Sequence, residues 1–256
     1  MIAFITGSGF YELEGFAPEE HDTRFGTVRL LRGDVQGNPV LILPRHGSGH
    51  RNLPHQITHR ANLTALKEAG ATAIVSCTVC GVTNGTWELG SPIVANDLWF
   101  PDNRLGDGSA CTVFTEPGES GRGHLLAGSF FHTALSQSIR DYFECQGGKC
   151  FSGCYAHGNG PRFNSRAEIR GIQAAGADFI SQTCGPEAIM ANELEIPFAL
   201  AGFGVDFANG VKEKPTPIQV LQVNMGRAKT AFVGLIYAIA SSGEKYKFEN
   251  FVYRFD

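Results

Sequence analysis

Four short runs and one further carboxyl carry the residue types that an anion and a flat ring would need. Thr6-Gly7-Ser8-Gly9 follows an apolar segment directly, so its glycines let backbone N–H groups approach an anion and Ser8 can add a hydroxyl. It is neither a Walker loop, because no lysine follows, nor the full dinucleotide glycine fingerprint. Arg45-His46-Gly47 follows a second apolar run, and a guanidinium fork there matches a phosphate or carboxylate. Ser76-Cys77-Thr78-Val79-Cys80-Gly81 ends a third, where hydroxyls and backbone N–H groups stand at a strand's carboxyl end. The run Gly158–Glu168 is a Gly/Pro loop that delivers Phe163, an aromatic able to stack on a ring or to fill a core, just ahead of a capped helix. Asp206 lies just past the apolar run 198–204, where a carboxyl group can exchange a proton with a heteroaromatic nitrogen or simply cap a loop.

Metal and redox chemistry is a weaker reading. Cys145, Cys150, Cys154 and His157 offer soft ligands within a short span, but a strand over 151–156 would point neighbours to opposite faces. Cys77-x-x-Cys80 has no second pair nearby and reads as small buried thiols.

The elements that must hold these runs alternate as in an α/β fold. The expected strands are 2–6, 27–32, 39–43, 73–77, 92–95, 149–156, 179–181 and 198–204, with a further strand possible in the tail 246–256. The expected helices are 54–68, 131–143, 165–176, 186–194 and 216–241. Ser165 and Glu168 have capping-box spacing, Thr216-Pro217 reads as an N-cap followed by a proline in the first turn, and Gly185-Pro186-Glu187 opens a helix by the same logic. Residues 99–123, rich in Gly, Asp, Asn and Pro, form a long loop.

Composition bounds the function. The 256 residues are 43% hydrophobic and 18% charged, which fits one large packed α/β domain. A formal net charge of -4 argues against a nucleic-acid binder. No run is long and apolar enough for a membrane span, and Met1–Ile5 reads as a first strand, not a signal peptide. Seven scattered cysteines favour reduced thiols in a cytoplasmic setting.

In this order, Thr6–Gly9, Arg45-His46-Gly47, Ala61-Asn62-Leu63 with Ala65-Leu66-Lys67, Cys80-Gly81, Gly160–Glu168 and Pro186-Glu187 resemble the trimeric purine nucleoside phosphorylase superfamily, over nearly the whole chain. Within it, the 5'-methylthioadenosine phosphorylase branch looks most similar. The resemblance implies a single α/β domain with a central mixed sheet flanked by helices, and a homotrimer. It also implies a reaction without metal or cofactor, in which inorganic phosphate, a co-substrate, attacks the anomeric carbon as the purine leaves. An oxocarbenium-like transition state is then stabilised by positioned phosphate. By the same resemblance Ser8, Arg45, His46, Thr78 and Thr183 contact phosphate, Val79 offers a backbone contact, and Asp206 bonds the purine N7. His46 and Asp206 are the catalytic candidates, Phe163 packs on the purine, and His124 is lent by a neighbouring subunit to the 5' end of the sugar.

Base and sugar preference follow from polarity. Branches that cleave 6-oxopurines resemble one another in a Glu directly after the Phe163 position and an Asn at the Asp206 position. Here Asn164 and Asp206 stand there, which fits a 6-aminopurine. Pro217, Val220 and Leu221 share a helix face where a histidine is usual, and favour a methylthio group over a hydroxyl, unless that face is core. Three departures pull the other way. Gln182 replaces the usual Met beside the ribose, Ala208 replaces a second Asp near the amino group, and residues 82–88 differ from the usual run. The expected activity is phosphorolysis of 5'-methylthioadenosine. The alternatives are a phosphorylase of 5'-methylthioinosine, adenosine or inosine, and a binding protein that has lost turnover.

Overall fold

Strand β1 (Ile2–Thr6) shows how the sheet is held. Ala3 and Ile5 pack into one apolar cluster and Phe4 into another on the opposite face. A strand buried on both faces needs a continuous apolar run, and IAFIT supplies one. The computed structural model describes residues 1–7 and 15–255, with Ser48 by its backbone alone.

β1 pairs in parallel with β4 (Asn38–Pro44) and β5 (Ala73–Val82). Beyond β4, β3 (Gly26–Val35) and β2 (Ala17–Thr23) extend the sheet as antiparallel neighbours. On the other side β10 (Phe198–Phe207) runs parallel to β5 and antiparallel to β6 (Pro92–Trp99). β8 (Phe151–His157) and β9 (Phe179–Ser181) continue from β6, and β9 returns to β5 through Gly81 opposite Ile180. Five strands therefore close on themselves, while β1, β4, β3 and β2 form an open wing.

Helices α1 (His59–Glu68) and α4 (Cys184–Glu193) cover one face, with Leu63, Leu66, Ala188 and Met190 in the core. Helices α2 (Thr133–Cys145) and α5 (Ile218–Ser242) cover the other through Leu135, Ile139, Phe232 and Leu235. Short α3 (Arg166–Ala174) packs Ile169 and Ile172 on Ala156 and Ile180. A two-stranded sheet, β7 (Gly123–Leu126) with β11 (Phe251–Arg254), stands apart, and its second strand lies in the tail where a strand was expected. The result is a single α/β domain with a central mixed sheet flanked by helices.

Several expected bounds are corrected. Residues 54–68 are not one helix: a 3-10 turn at Pro54–Gln56 is followed by extended Ile57 before α1 begins. α4 starts at Cys184 with Thr183 at its N-cap, two residues ahead of the expected start. Thr216 does not cap α5; Pro217 does, and the Thr216 hydroxyl instead accepts the Phe207 N–H at 3.1 Å. β5 and β10 run on to Val82 and Phe207, so Cys80-Gly81 and Asp206 lie within strands and not past them. The capping box at α3 is present as spaced, with Ser165 accepting from Glu168 N and Glu168 accepting from Ser165 N.

Candidate functional site

The ends of β1, β4, β5, β9 and β10 surround a cavity of about 430 Å³. Gly7, Arg45, His46, Thr78, Val79 and Thr183 line one part; Phe163, Asn164, Asp206 and Ala208 line another. Ser8 lies outside the described residues.

Arg45 follows β4 and is 3% exposed. Its Nε lies 2.9 Å from Glu187 Oε1, and Nη2 donates to Ser76 Oγ at 2.7 Å and to Ile5 O at 3.2 Å. Nη1 donates to Thr183 Oγ1 at 3.1 Å. A guanidinium has five N–H bonds, so one on Nη1 is left for the cavity. Glu187 turns its second oxygen to the Ser76 hydroxyl at 2.7 Å. Burial pushes the Glu187 carboxyl upward, against the pull of Arg45, while the guanidinium, facing that carboxylate, stays charged. The pair fixes the fork's plane before any anion arrives.

His46 is 7% exposed, stacks on His50 with ring centres 4.2 Å apart, and places Nδ1 2.9 Å from Asn52 O. Burial first, then the charge of Arg45, hold its pKa down to about 4, so the ring is neutral near pH 7. His157 is likewise pressed to about 3 by burial, and its Nδ1 accepts the Gly185 N–H. Thr78 Oγ1 lies 3.1 Å from Ser181 Oγ, which is 2.8 Å from Tyr155 OH, and Tyr155 in turn accepts the Cys184 N–H at 3.1 Å. Thr78 is thus held by a buried hydroxyl chain.

The ring-shaped part of the cavity is built differently. A register shift between Gly204 and Asp206 against β5 turns the end of β10 so that the Asp206 carboxyl joins the lining. Burial raises its pKa from 3.8 to about 6. Phe163 is 79% exposed, and its loop is tied at three points. Gln182 Nε2 donates to Arg162 O, the Arg162 fork grips Glu168, and Asn209 Nδ2 donates to Asn164 O. Gln182 both lines the cavity and holds this loop.

Leu221 lines the cavity but Pro217 and Val220 do not: Pro217 caps α5 and Val220 is 40% exposed. The inward face of α5 is instead Leu221, Met225, Ala228 and Phe232, at helical spacing. These four positions follow the spacing i, i+4, i+7, i+11. His124 lies on β7, edge-on to Phe255, outside the cavity of its own chain. Ser181, Tyr155 and the Glu187 brace were not singled out from sequence; Ser181 had a signal in its place beside Gln182-Thr183. The cysteines 77 and 80 are buried free thiols, Cys77 pushed up to about 12 by burial, and among the described residues no three His, Cys, Asp or Glu side chains converge.

A braced guanidinium with hydroxyls and a neutral imidazole, next to a slot bounded by an aromatic and a carboxyl of raised pKa, has the chemistry to take a small oxyanion beside a heteroaromatic ring. The chain belongs to the phosphorylase superfamily, whose profile matches residues 1–241. It is 32% identical to a probable 6-oxopurine nucleoside phosphorylase of Thermococcus kodakarensis, covering 93% of this chain and 91% of that protein. It is also 32% identical to a probable S-methyl-5'-thioinosine phosphorylase of Pseudomonas syringae pv. tomato, over 93% of this chain and 99% of that one. In fold it matches the methylthioadenosine phosphorylase of Schistosoma mansoni solved with adenine, with a TM-score of 0.84 at 23% identity, covering 94% of this chain and 90% of that one.

Proposed function

We propose that this chain phosphorolyses 5'-methylthioadenosine to adenine and 5-methylthioribose 1-phosphate, with inorganic phosphate as co-substrate and no bound cofactor. The observation that carries the base assignment is the Asp206 carboxyl on the cavity wall with its pKa raised to about 6. A carboxyl near neutrality can donate to N7 as negative charge builds on the departing purine, while its other oxygen accepts from a 6-amino group. A 6-oxo group would set oxygen against oxygen there. Arg45, Thr78, Thr183 and the Val79 backbone hold phosphate, His46 beside them, and Phe163 packs on the base. The apolar Leu221–Phe232 face supports a methylthio group at the 5' end. Gln182 sits beside the ribose.

A second reading has its own observation. Ala208 offers only a methyl group to the base, and Asn164 carries an amide that pairs with either kind of purine. 5'-Methylthioinosine or inosine is then the substrate, in line with the names of the relatives in Thermococcus and Pseudomonas. We further place the protein in the cytoplasm as a homotrimer in which His124 is lent to a neighbour; no helix of the described residues is long and apolar enough to cross a membrane, and the seven cysteines are free.

The deciding experiment is purine release from 5'-methylthioadenosine, adenosine, 5'-methylthioinosine and inosine, each with and without phosphate. Phosphate-dependent adenine release, fastest with the methylthio substrate, is expected. Faster hypoxanthine release sinks the 6-amino assignment, and release independent of phosphate sinks phosphorolysis.

A further inference from the structure

The anion end of the cavity is lined by a guanidinium, two threonine hydroxyls and one imidazole. Arg45 has its remaining Nη1–H, and Thr78 and Thr183 carry hydroxyls. His46 differs. The Asn52 carbonyl can only accept, so Nδ1, 2.9 Å away, carries the imidazole hydrogen. With the ring neutral, Nε2 is a lone pair, and it is the ring nitrogen left to the cavity that His46 lines. The groups around the ring keep it so. Arg45 stands beside it with Glu187 behind, His50 is stacked on it, and buried His59, its own pKa far below the ordinary value by burial, adds no charge.

We propose, resting on the phosphorolytic reading, that His46 is the specificity-determining residue of the anion site: its Nε2 accepts a hydrogen bond from an oxyanion that carries a proton, and so separates phosphate from sulfate. At mildly alkaline pH, phosphate and arsenate are dianions that keep one O–H. Sulfate and monofluorophosphate are tetrahedral dianions with none. Charge and shape being alike, the difference lies in Nε2, which meets an O–H in the first pair and a bare lone pair in the second. An acceptor facing an acceptor in a buried site costs about ten- to a hundredfold in affinity.

The same assignment closes the proton balance of the reaction. A bare phosphate oxygen forms the bond to C1' while the C1'–N9 bond breaks and its electron pair stays with the purine. Asp206 supplies the proton that the purine gains. The proton of the phosphate, held in a hydrogen bond to His46 Nε2, is released to solvent, and the sugar phosphate leaves as a dianion. Solvent then returns Asp206 to its protonated state, so one proton leaves phosphate for each one the purine acquires.

The test compares four anions on the whole protein at mildly alkaline pH. The KM for phosphate and for arsenate and the inhibition constants of sulfate and monofluorophosphate are measured in purine release, and all four are ranked by their shift of thermal unfolding. The expected result is arsenate within a few-fold of phosphate and both proton-free anions weaker by about tenfold or more. In His46→Asn, whose amide can turn a donor inward, the gap is expected to shrink to a few-fold while turnover falls. Sulfate or monofluorophosphate binding within twofold of phosphate in the unaltered protein overturns the proposal. If no purine is released with any anion, the phosphorolytic reading fails, and the thermal ranking alone still decides on His46: a flat ranking overturns its role.

Discussion

Asp206 joins stability and chemistry in one group. Its folded pKa, about 6, lies above the ordinary 3.8 because burial disfavours the charged form. A raised carboxyl pKa means the folded state is favoured while the group is protonated, fully so below pH 3.8, and that this contribution is lost as pH rises through about 6. At neutral pH the buried charge therefore works against the fold. Asp206→Asn removes it and is expected to stabilise the empty protein by about 2 kcal/mol at neutral pH, with no gain in strong acid. The same change is expected to cut turnover on 6-aminopurine nucleosides by about a hundredfold or more with little effect on the KM for phosphate. Thermal unfolding against pH and steady-state kinetics check both; unchanged turnover removes Asp206 from the mechanism. At this scale the sequence marked many of the residues that line the cavity: Arg45, His46, Thr78, Phe163 and Asp206 stand at strand ends or loops that their own flanking residues mark, and Thr183 came through the family resemblance. It could not show the brace on Arg45. Glu187 is 111 residues from Ser76, and their 2.7 Å hydrogen bond exists only once α4 lies against β5.

At the scale of elements, legibility tracked burial. β1, β4, β5 and β10 are continuous apolar runs and stand where the sequence placed them, though β5 and β10 extend further. β2 was missed because APEEHDT is an exposed edge strand with neither alternation nor bulk, formed by its ladder to β3. The start of α5 was misplaced because Thr-Pro followed by an apolar run satisfies the capping rule, yet the Thr216 side chain is drawn back to Phe207 N. With the start at Ile218, Pro217 stands at the cap and not on the helix face. Leu221 leads the inward stripe and Val220 turns outward. Leu221→Asn places an amide on that stripe without an evident partner. It is expected to lower kcat/KM for the methylthio substrate by about tenfold, the cost of an unpaired polar group and lost apolar contact, while the 5'-hydroxyl substrate loses less. Equal losses on both substrates would mean that this face does not read the 5' group.

At the scale of the molecule, the cavity is built by one chain, yet the β7–β11 sheet is dressed for contact. Val252 turns inward, while Phe251, Tyr253, Phe255 and Leu126 are 60%, 53%, 43% and 57% exposed. Several large apolar side chains side by side on an exposed face are what a contact surface requires. His124 lies opposite Tyr253 in this same sheet, so whatever meets the sheet meets His124. If a second copy meets it, the histidine is carried to a neighbour, as the trimer reading requires. A Phe251→Glu/Tyr253→Glu double change puts two charges on the face without touching Val252. It is expected to reduce the sedimenting mass from a multiple of the 27.6 kDa chain to the single chain, and to lower kcat/KM by about tenfold or more through loss of the lent side chain. His124→Ala is expected to keep the assembly and reproduce the kinetic loss. An unaltered protein that sediments as a single chain and is fully active would remove the neighbour from the site and leave the exposed sheet to another partner.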